Sequence, residues 1–269
     1  MLPVDPFIGL GQATRMNAKQ KTIALVTGAS RGIGRQVAQD LADAGYRVVC
    51  AARTTSAVDE LAREIGGVPL TMDLLQTDSI NKGIDWVESH VGPIGVLVNN
   101  AGIATSAPLP QTTLDIWTQT IQVNLTANFL LTQRCLPKMV AQGEGRIVFV
   151  ASNAGLTGYA YTSAYCASKH GVVGLMRSLA AEYAKTGVTI NAVCPGFVDT
   201  DMTTAAIEKI KTATGRDETK ARSALERMNP QGRLIGVDEV SHAVMSLLPY
   251  EARGINGQAI ALDGGQVMK

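Results

Sequence analysis

The chain has 269 residues, 46% of them hydrophobic, with 24 basic against 23 acidic side chains. That composition supports a sizeable core, and a net charge of +1 gives no footing for nucleic acid or an acidic partner. Cys50, Cys135, Cys166 and Cys194 form no C-x-x-C pair and have no histidine at zinc spacing, so neither a disulfide framework nor a metal is expected. Such thiols fit a reducing, cytoplasmic setting.

No apolar run approaches the roughly 20 residues of a membrane span, so no membrane association is expected. Residues 1–20 lack a basic start and a long apolar core, which makes them a poor secretory signal. They read as a loose arm ahead of the fold, with an amphipathic anchor as the alternative. "KTIALVTGAS" is then a buried strand, and "RGIGRQVAQDLADAG" a helix with apolar Ile33, Val37, Leu41 and Ala44, closed by Gly45. "YRVVCAAR" is a strand, "TSAVDELAREIGG" a helix stopped by Gly66 and Gly67, and "VPLTMDL" a strand. "TDSINKGIDWVESHVG" (helix) and "IGVLVNNAG" (strand) follow. "TTLDIWTQTIQVNLTANFLLTQRCLPKMVAQ" reads as one long helix that Pro137 could interrupt. "GRIVFVAS", "AYCASKHGVVGLMRSLAAEYAKTG", "VTINAVCPG" and "NGQAIALDGG" complete the alternation as strand, helix, strand and strand.

Continuous apolar strands alternating with helices predict an α/β fold: one doubly wound (Rossmann) parallel sheet with helices on both faces, over residues 21–269. The charged, helix-prone segment at about 200–230 follows a strand, where a substrate lid or a solvated insertion would sit.

"TGASRGIG" lies between the first strand and the first helix, with Gly28, Gly32 and Gly34 spaced unlike the usual G-x-G-x-x-G. Glycines there let the backbone turn against a pyrophosphate, while the helix N-terminus offers N–H donors. The second strand ends "CAARTT": Ala52 stands where a carboxylate would bind the ribose 2′-OH of NAD, and Arg53 follows. Arg53 and Arg31, with the hydroxyls of Ser30 and Thr54, suit a 2′-phosphate, so NADP(H) is the expected cofactor. Taken alone, Arg53 could equally be a surface cation.

Tyr165 and Lys169 stand four apart on one predicted helix face. An ammonium beside a phenol lowers its pKa toward the range useful for acid–base work. Ser152 ends the preceding strand, at the sheet edge where open α/β folds bind ligands. The Y-x-x-x-K pair is weak by itself. Asn124 is locally unfavourable in mid-helix, which is a functional hint. Tyr159 and Tyr161 share the intervening loop, and either line a cleft or pack against a partner subunit.

"TGASRGIG", "NNAG" (99–102), Asn124 in "VNL", Ser152, "YCASK" (165–169) and "PGFVDT" (195–200), in that order, resemble the short-chain dehydrogenase/reductase family over residues 20–267. The pattern is most similar to 3-oxoacyl-carrier-protein and acetoacetyl-CoA reductases and to aromatic-polyketide ketoreductases. The resemblance implies Tyr165 as catalytic acid, Ser152 holding the carbonyl oxygen, Lys169 on the nicotinamide ribose, and Asn124 holding a relay water. It implies further cofactor contacts at Ile33, Asp73, Leu74, Asn100, Ala101, Gly102, Pro195, Gly196, Val198 and Thr200. For Asp73 a turn or helix-cap role is the alternative.

The expected activity is NADPH-dependent reduction of a 3-oxoacyl thioester. A cyclic, polyketide or other secondary ketone is the second reading, and a non-catalytic NADPH-binding regulator is the remote one. Carrier-protein reductases tend to show a basic residue where Ala181 stands, a departure that favours a CoA thioester or free ketone. Lys211, Arg216 and Lys220 in the lid could then meet CoA phosphates. The expected partners are a small-molecule ketone or acyl thioester and, by resemblance, three further copies in a homotetramer.

Overall fold

The computed structural model describes residues 21–268, so the expected arm at residues 1–20 lies outside the described residues. Seven strands appear where the apolar runs place them: β1 (Ile23–Thr27), β2 (Arg47–Ala52), β3 (Val68–Thr71), β4 (Ile94–Asn99), β5 (Gly145–Val150), β6 (Val188–Pro195) and β7 (Ala259–Leu262). They form one sheet in the order β3-β2-β1-β4-β5-β6-β7, every pair parallel. Chain order reverses between β1 and β4, and that switch point opens a crevice at the strands' carboxyl ends.

Period-two alternation divides the strand residues between two cores. Leu25, Leu97, Ile147, Phe149 and Ile190 face α3 (Thr77–His90), α5 (Ala127–Gln142) and α6 (Ser163–Glu182). Val26, Val48, Val98, Val148 and Val193 face α1 (Gly32–Asp43), α2 (Thr55–Ile65) and α9 (Val237–Ser246). Burial on both faces is why β1 reads as an apolar run, and β5 and β6 are buried along their whole length although they carry Arg146, Thr189 and Asn191. Gly66 stops α2 in the left-handed region at φ 63°.

The long helix differs from expectation. It is not interrupted at Pro137, which sits inside α5, where buried Cys135, Leu136 and Met139 hold the helix against the sheet through to Gln142. The irregularity lies earlier: α4 (Leu114–Ile121) passes through a π-helical turn at Gln122–Thr126 before α5 begins.

The segment expected as a lid forms α7 (Asp201–Thr214) and α8 (Glu218–Glu226), which share a small core of Ile207, Ala221, Leu225 and Leu234. α9 buries Val240 and Val244 and packs along α1. No helix among the described residues is long and apolar enough to cross a membrane.

Candidate active site

The glycine turn is built for close approach. Gly28 and Gly32 take φ of 66° and 53°, which an L side chain rarely adopts. A Cβ on Gly34 would lie 2.3 Å from the Gly28 carbonyl oxygen and 2.4 Å from Asn100 Nδ2. One on Gly32 would lie 3.3 Å from Thr200 Cγ2, so the start of α7 rests on the turn. Asn100 anchors the turn by donating through Nδ2 to the carbonyls of Thr27 (2.8 Å) and Gly28 (3.3 Å). Thr27 Oγ1 accepts from the N–H groups of Asn100 (3.0 Å) and Ala101 (3.1 Å), closing β1 onto β4. Arg31, at the N-cap of α1, makes no side-chain cap bond, and the first turn of α1 carries no acid. Its free N–H donors therefore suit an anion.

At the end of β2, Ala52 is partly buried while Arg53 and Thr54 are exposed. Thr54 caps α2 by position alone, with no side-chain bond, and the first turn of α2 has no acid. Arg31 Nη1 lies 3.3 Å from Asp201 Oδ2, joining the glycine turn to α7. These residues fit a dinucleotide with a 2′-phosphate: a cradle that side chains would fill, two exposed guanidinium groups, and no carboxylate in the ribose position. Asp73 Oδ1 accepts from the Leu75 N–H at 3.0 Å, a turn bond just beyond β3. The Leu74 carbonyl accepts from Gln122 Nε2 at 3.2 Å.

Ser152, Tyr165, Lys169 and Asn124 converge past the carboxyl ends of β4 and β5. Ser152 caps a short 3-10 turn, accepting from the Ala154 N–H at 3.1 Å. Lys169 is 3% exposed and donates to the Val150 carbonyl at 2.9 Å, with its Nζ 5.7 Å from the Tyr165 ring centroid. Burial pushes its ammonium down to about 8. The Tyr165 phenol is raised by burial, with hydrogen bonding from Ser152 drawing it back. This corrects the expectation that Lys169 lowers it: the buried amine is directed at Val150, and desolvation dominates.

Asn124 is fully buried, with its carboxamide fully engaged. Oδ1 accepts from the Ile103 N–H at 2.9 Å, and Nδ2 donates to the Ile103 carbonyl (2.9 Å) and to Ser168 Oγ (3.0 Å). A Cβ on Gly102 would lie 3.4 Å from Asn124 Oδ1 and 3.6 Å from Lys169 Nζ, so Gly102 keeps the space between them. Pro195 ends β6, its carbonyl 3.5 Å from Ser152 Oγ. A Cβ on Gly196 would press on Asp263, and the Val198 carbonyl accepts from Thr200 and Thr203.

Sequence reading missed the strap behind Ser152. Asn153 Nδ2 donates to Asp263 Oδ2 (3.3 Å) and Gln266 Oε1 (3.1 Å), and Asp263 accepts from the N–H groups of Gly265, Gln266 and Val267. Tyr159 packs edge-on against Phe197 and lines a cavity of about 400 Å3 with Thr157, Gly158, Gln266, Val267 and Met268. Exposed Tyr161 holds φ 66°, its carbonyl accepting from the Ala107 N–H at 2.8 Å. Of the three cations expected toward CoA phosphates, Lys211 pairs with Glu208 and Glu218, and Lys220 with Asp217, while Arg216 makes no ion pair among the described residues.

The fold and the site define a dinucleotide-dependent oxidoreductase of the doubly wound class. A short chain dehydrogenase family model matches residues 22–211, and the chain belongs to that family. It is 37% identical to the 3-oxoacyl-[acyl-carrier-protein] reductase of Aquifex aeolicus, covering 91% of this chain and 97% of that one. It is 35% identical to a putative ketoacyl reductase of Streptomyces coelicolor, covering 93% and 98%. Among solved structures, a variant of actinorhodin polyketide ketoreductase with NADPH superposes with a TM-score of 0.88 at 34% identity, covering 91% and 97%. A gluconate 5-dehydrogenase of Burkholderia cenocepacia with NADP and tartrate gives 0.84 at 30% identity, covering 92% and 95%.

Proposed function

We propose that this chain is an NADPH-dependent reductase that converts the ketone of a 3-oxoacyl thioester to a hydroxyl. The observation that carries the reading is the convergence of Ser152, Tyr165 and Lys169 beside a glycine cradle flanked by Arg31 and Arg53. Relatives described as 3-oxoacyl and ketoacyl reductases support the substrate class.

Gly28, Gly32 and Gly34 admit the pyrophosphate, Arg31 and Arg53 take the 2′-phosphate, and Asn100, Ala101, Gly102 and Thr200 line the rest of the path. Bound there, NADPH supplies the hydride. Ser152 holds the ketone oxygen, and Tyr165, kept protonated by burial, gives its proton to that oxygen as negative charge develops. Lys169, with its proton loosened by desolvation, stands ready to help restore the phenol. The helices α7 and α8 act as the substrate lid.

A polyketide or cyclic ketone is the second reading, favoured by the pairing of Lys211 and Lys220 with neighbouring carboxylates, two of the three cations expected toward CoA phosphates. We also infer a homotetramer formed across α5 and α6, where Phe129 is 42% exposed and Gly174 faces open space. A mass of four chains by light scattering is expected. Cys50, Cys135 and Cys194 are buried and unpaired, which fits the cytoplasm.

The test is NADPH oxidation with acetoacetyl-CoA, with NADH as control and Tyr165→Phe as the catalytic control. Strong preference for NADPH, reversed by Arg53→Glu, and loss of turnover in Tyr165→Phe are expected. Turnover surviving in Tyr165→Phe overturns the mechanism. NADH preference overturns the cofactor reading, and NADPH binding without acetoacetyl-CoA turnover moves the substrate to a bulkier ketone.

A further inference from the structure

Tyr161 is the only residue other than glycine, among the described residues, whose backbone is left-handed, at φ 66°. An L side chain in that region crowds its own backbone, whereas glycine or asparagine adopts it readily. A bulky aromatic residue there is an outlier. The bond that fixes this backbone does not call for tyrosine: the Tyr161 carbonyl accepts from the Ala107 N–H at 2.8 Å, and any residue supplies a carbonyl. Packing within the chain does not call for it either, because the residue is 64% exposed. Tyr159, on the same loop, is the contrast: its ring packs against Phe197 and its φ is not positive. Strain that the fold does not need points to a use for the side chain.

The place of the ring narrows that use. Its loop runs from the turn capped by Ser152 to the helix that carries Tyr165 and Lys169. The bond to Ala107 ties this loop to the segment that follows Gly102, beside Asn124 and Lys169. Two residues past Ala107, Leu109 stands 75% exposed on a 3-10 turn. Two large side chains are thus held out to solvent on two joined loops next to Ser152 and Tyr165. Neither loop offers a charge: residues 101–114 and 152–164 contain no Asp, Glu, Lys, Arg or His. Such a surface cannot select a phosphate or a carboxylate, but it can cover apolar carbon, which an aromatic ring does with little loss of freedom.

We propose that Tyr161 is a specificity-determining residue whose ring, with Leu109, covers the apolar body of the ketone substrate beyond its reacting carbon, and that the left-handed backbone is kept to present that ring. The inference rests on the reductase reading. It selects ketones with an extended hydrocarbon chain or ring system over short ones, whatever group the far end carries.

Two variants test it. Tyr161→Asn suits the left-handed backbone and removes the ring. Tyr161→Phe keeps the ring and removes only the hydroxyl. The probes are ethyl acetoacetate, ethyl 3-oxooctanoate and 1-tetralone, which separate a short ketone from a chain and from a fused ring. The ratio of kcat/KM for either large ketone to that for ethyl acetoacetate should fall about fivefold in Tyr161→Asn, through KM, and should hold in Tyr161→Phe. Tyr161→Asn should melt at or above the parent's temperature, because it relieves the backbone and loses no packing. An unchanged ratio in Tyr161→Asn overturns the proposal, as does a lower melting temperature, which would make the ring structural. A smaller assembly by light scattering also overturns it, by assigning the ring to a subunit contact. If the parent reduces no ketone, the reductase reading fails, and calorimetric titration of the NADP+-loaded protein with 1-tetralone decides the site by itself: binding about fivefold weaker in Tyr161→Asn supports it, and no binding or equal binding overturns it.

Discussion

Replacing Lys169 with methionine should make the free protein more stable while removing its activity. The amine is almost wholly enclosed, and burial pulls it from 10.5 down to about 8. At about 1.36 kcal/mol per pH unit, holding the ammonium in the folded chain costs roughly 3 kcal/mol below pH 8. Methionine fills a similar volume without charge, but it leaves the Val150 carbonyl unpaired, a loss of about 1 kcal/mol or more. The net gain at pH 7 is roughly 1–2 kcal/mol, or a rise of about 3–6 °C in melting temperature for a chain of this size. The sign of the pH dependence is fixed: between about 8 and 10.5 the unfolded chain binds the proton and the folded chain does not, so parental stability rises with pH through that window. The advantage of Lys169→Met should therefore shrink between pH 7 and pH 10. Urea unfolding of both proteins at the two pH values measures this difference, with NADPH turnover falling at least about a hundredfold in parallel. A variant less stable than its parent at pH 7, or a gap unchanged at pH 10, refutes the reasoning.

Gly34→Ala should lose roughly 1–3 kcal/mol and most cofactor affinity, because its Cβ would meet the Gly28 carbonyl and Asn100 at 2.3 and 2.4 Å; urea unfolding and NADPH fluorescence titration read both, and parental values in each would contradict the cradle. Asp201→Asn should free Arg31 and tighten NADPH binding about threefold at low salt, with the gain vanishing near about 0.5 M salt; a gain that persists in salt would rule out release of the ion pair as its cause. Arg146→Met should cost roughly 2–4 kcal/mol without altering the KM for NADPH, because the 4%-exposed guanidinium donates to the carbonyls of Leu248 (3.1 Å) and Gly145 (2.9 Å) far from the cleft. A shifted KM with unchanged stability would refute that assignment.

β1, β2 and β4 were legible because burial on both sheet faces makes them apolar almost throughout, and Gly45 and Gly66 marked helix ends with positive φ. The glycine turn and the Tyr165–Lys169 spacing were legible because each is local. Contacts closed over long distance were not. Arg146 looks like a stray cation in an apolar strand until Leu248, 102 residues later, supplies its acceptor. Asn153 gives no sign that Asp263 and Gln266 will tie it down, 110 and 113 residues away.

The π-helical turn shows why a local rule can point to the right residue and still leave its cause unseen. Asn124 stood out as an unfavourable mid-helix residue, yet apolar periodicity read straight through it. Buried Val123 and Ala127 stand four apart, the ordinary helical interval, so an inserted residue leaves little trace in the pattern. What holds the wider turn comes from outside the helix: Ile103, 21 residues earlier, and Ser168, 44 residues later, take the Asn124 side chain. Asn128 holds its carbonyl from within. The distortion is therefore fixed by tertiary hydrogen bonds rather than by helix propensity, and such turns concentrate at working sites. It follows that substitutions at Ser168 or Asn128 should disturb the site more than their distance in sequence from Ser152 suggests, because both act on the backbone that presents Asn124.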